Sequence, residues 1–521
     1  MLQCRTLLAL GLLLPVAAAP AQAPSRYLPK NFDAYVAKVM ARYKVPGMAV
    51  AVVQDGVVIL AKGYGVKTLG RPEPVTARTP FAIASNSKLF TASALGMLVD
   101  EGKLHWDDRV IDHLPWFRMS SAYVTSELTI RDLLTHRSGL GLGAGDLLIW
   151  PSTDYNREEI ARRLANVPLA TSFRSTYAYD NVLYLVAGEV IRAVSGMSWE
   201  EFVQRRMFPA IGMRDASLLT GRRMLPVIAT PHAVVNGSMR VVEASNGTNT
   251  NPAGGILASA EDMAKWLEVQ LDSGRTASGK PLFSTAVTRQ LWQVVTPMPV
   301  GVPPAPLAPM RATFNGYALG VNVRDWRGQR LLTHTGGLAG FVSRVAIMPG
   351  QRFAVAVLTN AESGAARDAV AWRLVDHAVG EDFDWLAGFD AASRLPGAGA
   401  DLDPDVPTIA RDPDARPSLP LPKYAGVYED AWYGRVTITA ESSGLVMRFT
   451  HTPGMVGDLM PWGGETFVVR WRDRSMRADA YVTFQQAPGG TIAAVRMAAV
   501  SPAVDFSYDF QDLLLRPVVS P

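Results

Sequence analysis

A proline-rich stretch in the last third of the chain most constrains how the chain can fold. Seven prolines lie between Leu395 and Pro422, with almost no hydrophobic periodicity around them. Because proline lacks an amide hydrogen and fixes φ, such a run favours stiff, extended backbone over helices or interior strands. We therefore predict a linker at residues 391–420 between a large domain, residues 24–390, and a smaller one, residues 421–521.

Composition excludes several classes of protein. The chain has 521 residues, of which 48% are hydrophobic and 19% charged, so it is too apolar for a disordered protein. Its 51 basic and 47 acidic residues give a net charge of only +4 without a concentrated basic block, so nucleic acid is not expected as a partner. The single cysteine, Cys4, excludes a disulfide framework and a Cys-based metal site.

The N-terminus has the pattern of a secretory signal peptide over residues 1–23. Arg5 precedes the apolar run Leu7–Leu14, and Ala21-Gln22-Ala23 offers a small-residue cleavage site, with others at Ala17–Ala19. The apolar run is shorter than the roughly 20 residues of a membrane-spanning helix, so no transmembrane anchor is expected after cleavage. The pattern predicts a periplasmic or secreted protein, and the cleavage site stays open.

Two hairpin patterns, one near each end of the large domain, predict a sheet. Apolar residues over Gly47–Gly65 turn at Asp55-Gly56, and those over Phe341–Leu358 turn at Pro349-Gly350. Between these hairpins the patterns are mostly helical, for example at Leu89–Val99. The simplest assembly is an α+β domain whose strands come from both ends and whose helices are inserted between them.

The smaller domain is predicted to be a small antiparallel barrel or sandwich. Short β-rich runs separated by turns lie at 434–440, 445–450, 466–471, 480–485 and 491–497. Its aromatic residues fill either a core or the wall of a ligand cavity, and alternation on short strands favours the core. These residues are Trp432, Tyr433, Trp462, Phe467, Trp471, Tyr481 and Phe484.

A serine and a lysine, Ser85 and Lys88, stand where a strand-like segment gives way to a helix. Three residues apart, they lie on one face of that helix, whose first amides favour developing negative charge. A lysine can activate a serine only if burial leaves it as free amine. The alternative is a helix cap followed by a solvated lysine.

Two further segments carry groups suited to the same chemistry. Tyr179 and Asn181 precede a helix and, two residues apart in extended chain, point to one side. The alternative interpretation is that the tyrosine packs in the core and the asparagine caps the helix. His334, Thr335, Gly336 and Gly337 precede a strand, and glycines there let a substrate approach and free an amide for an oxyanion. Their alternative is a β-turn with a surface histidine.

Together these segments resemble the serine β-lactamase and penicillin-binding-protein superfamily, in its class C branch with esterase, D-aminopeptidase and CubicO-type peptidase relatives. The resemblance spans roughly residues 31 to 385 and implies an α+β fold. That fold is a β-lactamase-like antiparallel sheet with flanking helices and an all-helical insertion, here followed by a small C-terminal antiparallel β-barrel that looks lipocalin-like. The matching segments are 47–65, 85–88, 133–140, 179–181, 254–259, 334–337 and 358–360.

The resemblance also implies roles for the motif residues. Ser85 would be the acylated nucleophile, Lys88 and Tyr179 would share the proton transfers, and Asn181 would orient substrate and Lys88. The amides of Ser85 and Gly337 would form the oxyanion hole. His136 and Ser138, in a family signature loop, are interpreted as structural.

One residue departs from the β-lactamase pattern. His334 stands where β-lactamases have a lysine, and a histidine with an ordinary pKa near ~6.5 is mostly neutral at pH 7. Asp180 would add negative charge if it pointed inward. Both features disfavour penicillins and cephalosporins and favour esters, amides or short peptides.

The sequence therefore predicts an exported serine hydrolase with no cofactor and no metal, since the histidines are scattered without a metal-ligand spacing. Its substrate is expected to be a small molecule or short peptide, including D-amino-acid peptides. A β-lactamase, a penicillin-binding-like sensor with slow deacylation and an inactive scaffold remain as alternatives. A homo-oligomer is left open, and the barrel would cover the site, restrict substrate size or mediate contacts.

Overall fold

The computed structural model describes residues 28–221, 227–244, 247–396, 404–414 and 416–518. The predicted signal peptide lies outside these residues. Helices within them are α1 (Phe32–Tyr43), α2 (Ser87–Asp100), α3 (Val110–His113), α4 (Ala122–Glu127), α5 (Ile130–Leu133), α6 (Arg157–Arg163), α7 (Val182–Ser195), α8 (Trp199–Phe202), α9 (Phe208–Ile211), α10 (Asn251–Gly254), α11 (Ala260–Leu271), α12 (Thr285–Trp292), α13 (Gly364–Ala378) and α14 (Trp385–Ala392).

Strands occur in two groups separated by α13 and α14. The first group is β1 (Gly47–Gln54), β2 (Val57–Gly65), β3 (Phe81–Ala82), β4 (Ser217–Leu218), β5 (His232–Val235), β6 (Ser238–Val241), β7 (Ile256–Ala258), β8 (Thr296–Pro297), β9 (Asn315–Tyr317), β10 (Asn322–Trp326), β11 (Gln329–Leu338), β12 (Phe341–Met348) and β13 (Phe353–Thr359). The second is β14 (Gly426–Asp430), β15 (Gly434–Glu441), β16 (Gly444–Phe449), β17 (Val456–Gly463), β18 (Thr466–Trp471), β19 (Ala480–Gln486), β20 (Ile492–Ala499) and β21 (Arg516–Pro517).

The large domain is built on one antiparallel sheet of order β2-β1-β13-β12-β11-β10-β9-β8. The two predicted hairpins therefore lie side by side, with Val50 of β1 opposite Val357 of β13. Every residue of β1 is buried because both faces of the sheet are covered. Alternate residues serve different cores: Ala51 packs with the core beneath α11, and Val50 with the core beneath α1 and α13.

Helix α2 runs through the centre of the domain. Every residue from Ser87 to Leu98 is buried, which explains why its apolar residues surround the helix instead of forming one stripe. It packs against α7, α10 and α12. The expected arrangement of a sheet, flanking helices and a helical region between the two hairpins is confirmed.

The second group of strands forms a nearly closed barrel of order β20-β19-β18-β17-β16-β15-β14-β21. A bridge between Val495 of β20 and Leu515 brings the two ends of the order together. Most of the predicted aromatic residues are in its core, as the edge-to-face pair Phe467 and Phe484 illustrates. Trp462 differs: it lies partly exposed, and its indole N–H donates to the carbonyl of Ile409.

The described part of the predicted linker lies along the barrel. Thr408 N donates to Val500 O at 2.9 Å, and Ile409 N donates to the hydroxyl of Tyr481 at 2.7 Å. These residues include turns and bends, and the amides between the prolines bind the barrel, so they do not form a free spacer.

Within the described ranges, no single helix is long and apolar enough to cross a membrane. One strongly bent pair, Val182–Ser195 with Trp199–Ile211, reaches that length and composition only when its two helices are counted together.

Candidate active site

Ser85 lies in a tight turn at the entrance to α2. Strand β3 pairs with β7 and passes into a single 3₁₀ turn, Ala84–Asn86, from which α2 begins. Ala84 has a φ of 49°, a left-handed conformation that is unfavourable for a residue with a side chain. This turn leaves Ser85 half-buried at the wall of a cavity and at the helix N-terminus.

Lys88, one turn further on, is completely buried. Its Nζ lies 3.1 Å from Ser85 Oγ, 2.6 Å from Asn181 Oδ1 and 3.1 Å from the carbonyl oxygen of Ala253. Burial lowers the pKa of Lys88 to about 7, opposed in part by the charges of Asp146 and Asp180. A substantial share of Lys88 is therefore free amine at neutral pH, which is the state that can accept a proton.

Tyr179 lies against the same lysine, whose Nζ is 4.8 Å from the centre of the phenol ring. Burial raises the pKa of Tyr179 well above its ordinary value, and a side-chain hydrogen bond with Ser85 opposes that shift only in part. The phenol thus keeps its proton at neutral pH. Tyr179 is suited to donate a proton, and Lys88 to accept one.

Asn181 connects this group to a carboxyl group behind it. While its Oδ1 faces Lys88, its Nδ2 donates to Asp146 Oδ2 at 2.7 Å. The expectation that Tyr179 and Asn181 approach Ser85 and Lys88 together agrees with this geometry.

His334 lies in β11 beside the cavity, with both ring nitrogens already engaged. Nε2 is 2.9 Å from the hydroxyl of Tyr317, and Nδ1 is 2.6 Å from the carbonyl oxygen of Thr335. Since a carbonyl only accepts, Nδ1 carries the hydrogen and Nε2 accepts from the tyrosine. Burial lowers the pKa of His334 to about 3, aided by the charge of Lys88, so the ring is neutral.

The three residues that follow His334 have two different surroundings. Thr335 and Gly337 line the cavity, and a Cβ added at Gly337 would meet open space. Gly336 does not line the cavity. A Cβ there would lie 2.1 Å from the carbonyl oxygen of Ile83, so this glycine lets β11 pack against the turn that carries Ser85. The close approach predicted for a substrate at Gly336 is thus made by the protein's own backbone.

Asp180 does not point into the cavity. It is fully buried, 3.6 Å from His136 Nδ1, and burial raises the pKa of Asp180 to about 7. His136 is also buried, with its ring 4.3 Å from that of Tyr179 and 4.5 Å from that of Tyr317. These contacts agree with a structural role for His136.

The cavity has a volume of about 1000 Å³ and two sides. One side belongs to the large domain and includes the Ser85 turn, the segment from Asp146 to Ser152, the loop before α7 and strands β9–β12. The other comes from the C-terminal domain, where the ring of Phe506 stands perpendicular to that of Tyr179 at 5.9 Å. Gly143, with φ 71°, makes room for Phe506, because a Cβ there would lie 2.4 Å from the Phe506 carbonyl oxygen.

Sequence reasoning missed Asp146 and Phe506. The available signal was the glycine spacing at Gly141, Gly143 and Gly145 directly before Asp146, which is typical of close backbone approach. Nothing around Phe506 distinguishes it from a loop residue of the barrel. Among the residues that the structure describes, no three His, Cys, Asp or Glu side chains lie together as a metal site.

Comparison with known proteins gives two family matches. The family described as Beta-lactamase matches residues 32–380, and the one described as Domain of unknown function (DUF3471) matches residues 410–517. The second match does not identify the barrel as lipocalin-like, so that part of the resemblance stays a prediction.

Individual proteins are also similar to this chain. Unguisins hydrolase ungD of Aspergillus violaceofuscus is 27% identical over 451 residues, which cover 81% of this chain and 78% of that protein. The octameric penicillin-binding protein homologue from Pyrococcus abyssi is 20% identical with a TM-score of 0.60 and covers 93% of this chain and 98% of its own. The class C beta lactamase from Rhodobacter sphaeroides is 20% identical with a TM-score of 0.53 and covers 67% and 99%.

The structural likenesses establish the fold, and the Beta-lactamase match covers more than half of the chain, including every motif residue from Ser85 to Gly337. The resemblance drawn from the motifs is thereby confirmed: the chain belongs to the Beta-lactamase family and is a hydrolase of the β-lactamase and penicillin-binding-protein superfamily.

Proposed function

We propose that the protein is an exported serine hydrolase that forms an acyl-enzyme on Ser85 and acts on esters, amides or short peptides, including peptides of D-amino acids. The observation that carries the proposal is the buried amine of Lys88, with a pKa of about 7, at 3.1 Å from Ser85 Oγ. Export is proposed from the sequence pattern of residues 1–23.

Acylation follows from the roles that the contacts support. The proton of Ser85 Oγ passes to neutral Lys88 Nζ while Oγ bonds to the substrate carbonyl carbon. The oxyanion that forms is held by the amides of Ser85 and Gly337. When the bond to the leaving group breaks, the leaving atom takes a proton from Tyr179, and the ammonium of Lys88 returns one to the phenolate.

Deacylation repeats these steps with water as the nucleophile. Water gives its proton to the phenol–amine pair of Tyr179 and Lys88 and adds to the ester carbon. Ser85 Oγ then leaves with a proton, and the acid is released. Atoms and charges balance without a cofactor.

The neutral ring of His334 supports the substrate class. It gives no fixed positive charge where β-lactamases have a lysine, and both of its nitrogens are already hydrogen-bonded. The carboxylate of a penicillin or cephalosporin therefore lacks its usual partner at this position. The cavity of about 1000 Å³ has room for a short peptide, and the relative from Aspergillus violaceofuscus is named a hydrolase.

The test is a substrate panel applied to the mature protein and to Ser85→Ala. We expect turnover of p-nitrophenyl esters or D-alanine peptides to exceed that of a chromogenic cephalosporin, and Ser85→Ala to abolish both turnover and labelling by a fluorophosphonate. Dominant cephalosporin turnover would reverse the inference from His334. A stable adduct on Ser85 without repeated turnover would favour a penicillin-binding-like sensor, and failure of Ser85 to label would favour an inactive scaffold.

A further inference from the structure

The buried carboxyl group of Asp146 connects the catalytic residues to the C-terminal domain. Its Oδ2 accepts from Asn181 Nδ2 at 2.7 Å and from Ser507 Oγ at 2.9 Å, although Ser507 is 361 residues further along the chain. Its Oδ1 is buried and has no hydrogen-bond partner among the described residues. Asp146 therefore has two donors, one from each domain, on a single oxygen.

This contact fixes which way round the amide of Asn181 lies. A carboxamide has an acceptor on one arm and donors on the other, whereas Oδ2 of Asp146 accepts both when the carboxyl group is ionised and when its proton is on Oδ1. Asp146 therefore binds Nδ2 of Asn181 and leaves Oδ1 facing Lys88 Nζ, at 2.6 Å. Ser507 acts in the same sense, because a hydroxyl that donates to Oδ2 stabilises the ionised acceptor.

The direction of that amide matters for the lone pair of Lys88. A neutral amine has two N–H groups and one lone pair. If Asn181 Oδ1 and the Ala253 carbonyl accept the two N–H groups, the lone pair faces Ser85 Oγ, the third neighbour of Nζ. A reversed Asn181 amide would present its own N–H to Nζ and compete for that lone pair.

Several charged or titratable groups surround Asp146. Lys88, Asp180 and Asp509 all interact with it electrostatically. Asp509, from the C-terminal domain, accepts from the amides of Gly145 and Leu147 at 2.6 and 3.0 Å and so holds the loop on both sides of Asp146. Burial raises the pKa of Asp146 to about 7, while the hydrogen bonds from Asn181 and Ser507 oppose that rise.

We propose that Asp146 is a positioning residue that directs the amide of Asn181 toward Lys88, and that Ser507 of the C-terminal domain completes this arrangement. The proposal rests on the acyl-enzyme function proposed above. It gives the barrel a part in the chemical step as well as in the wall of the cavity.

The experiment compares Asp146→Asn, Ser507→Ala and the double variant in the full chain, on the p-nitrophenyl ester that the unchanged protein hydrolyses fastest. Ser501→Ala is the matched control, because this serine of the same C-terminal region is buried, its hydroxyl accepts a local bond from Ala503 N among the described residues, and it does not line the cavity. We expect Asp146→Asn to lower kcat by about 100-fold with little change in KM, as misplacement of a reacting group does.

Ser507→Ala should lower kcat by about tenfold, the effect of one hydrogen bond to a charged group. Because Ser507 acts through Asp146, the double variant should be no slower than Asp146→Asn alone. The pH profile of kcat/KM adds a second readout. The negative charge of Asp146 raises the pKa of Lys88, so its loss should move the acid limb to lower pH.

A merely structural role would give a different pattern. Lower melting temperature with an unmoved acid limb, a change in KM alone, or additive losses in the double variant would each overturn the proposal. If Asp146→Asn does not fold, Ser507→Ala tests the proposal instead. A kcat of Ser507→Ala equal to that of the control Ser501→Ala would also overturn the proposal. Fluorophosphonate labelling of Ser85 in the unchanged protein tests the acyl-enzyme function separately. If Ser85 is labelled there, an inactive Asp146→Asn variant does not contradict that function.

Discussion

At the scale of single residues, the site depends on burial, which changes the pKa values of its titratable side chains. Burial lowers the pKa of Lys88 to about 7, raises that of Tyr179 and lowers that of His334 to about 3. The three shifts have one cause, yet they give an acceptor, a donor and a neutral wall residue. The difference comes from the ordinary charge of each group and from its neighbours.

The first prediction concerns the pH dependence set by Lys88. Below a pKa of about 7 the ammonium predominates and has no lone pair, so kcat/KM should fall as pH falls through this value. Lys88→Arg keeps a positive charge but cannot act as a base, and we expect its kcat to be about 100- to 10,000-fold lower. The measurement is a pH–rate profile on an uncharged ester. A profile that stays flat through pH 7 would contradict the assignment of Lys88.

At the scale of elements, the backbone of strand β11 packs directly against the backbone of the Ser85 turn. Gly336 allows this contact, because its Cα hydrogen faces the Ile83 carbonyl where a side chain would not fit. Next to it, Gly337 borders open space. Two adjacent glycines of one motif thus serve different purposes, one for packing within the protein and one for the cavity.

The second prediction uses these two glycines as a matched pair. Gly336→Ala should destabilise the protein by about 1–3 kcal/mol, the cost of forcing an extra methyl group into a packed contact, and should displace the Ser85 turn. Gly337→Ala should leave the free energy of unfolding within about 0.5 kcal/mol, as a substitution into open space does. Urea unfolding of both variants measures the difference. Equal stability of the two would show that β11 and the turn are not in tight contact.

The sequence predicted those parts of the site that lie close together in the chain or belong to recognisable motifs. Ser85 and Lys88 occupy one turn of a helix, and both hairpins of the sheet follow from alternation and turn residues. For Asp146, the glycine spacing before it indicates only a close backbone approach. Its partners Asn181 and Ser507, and the contact of Phe506 with Tyr179, are distant in the sequence and are brought together by tertiary packing. Periodicity carries no information about such contacts.

At the scale of the whole molecule, the two domains share a buried boundary. Tyr155 of the large domain donates its hydroxyl hydrogen to the carbonyl of Tyr433, and its ring stacks on that of His451 at 4.2 Å. Arg163 donates to the carbonyl of Trp432 at 3.0 Å. Buried apolar residues of both domains form one continuous core cluster, so separating the domains would expose part of this core to water.

The third prediction follows from this boundary. Residues of both domains should unfold in a single cooperative transition, because opening the boundary exposes a shared core. Tyr155→Phe removes one buried hydrogen bond and should lower the free energy of unfolding by about 1 kcal/mol without splitting the transition. Differential scanning calorimetry checks both statements. Two separate transitions in the unchanged protein would show that the domains unfold independently.

The wall that Phe506 contributes has a practical meaning for inhibitor discovery. A compound selected against residues 28–396 alone would meet a wider, wetter opening beside Tyr179 than the one that exists in the full chain. Conversely, exchanging the loop around Phe506 between relatives should transfer part of their selectivity, and keeping Ser507 in the exchanged loop would preserve its hydrogen bond to Asp146.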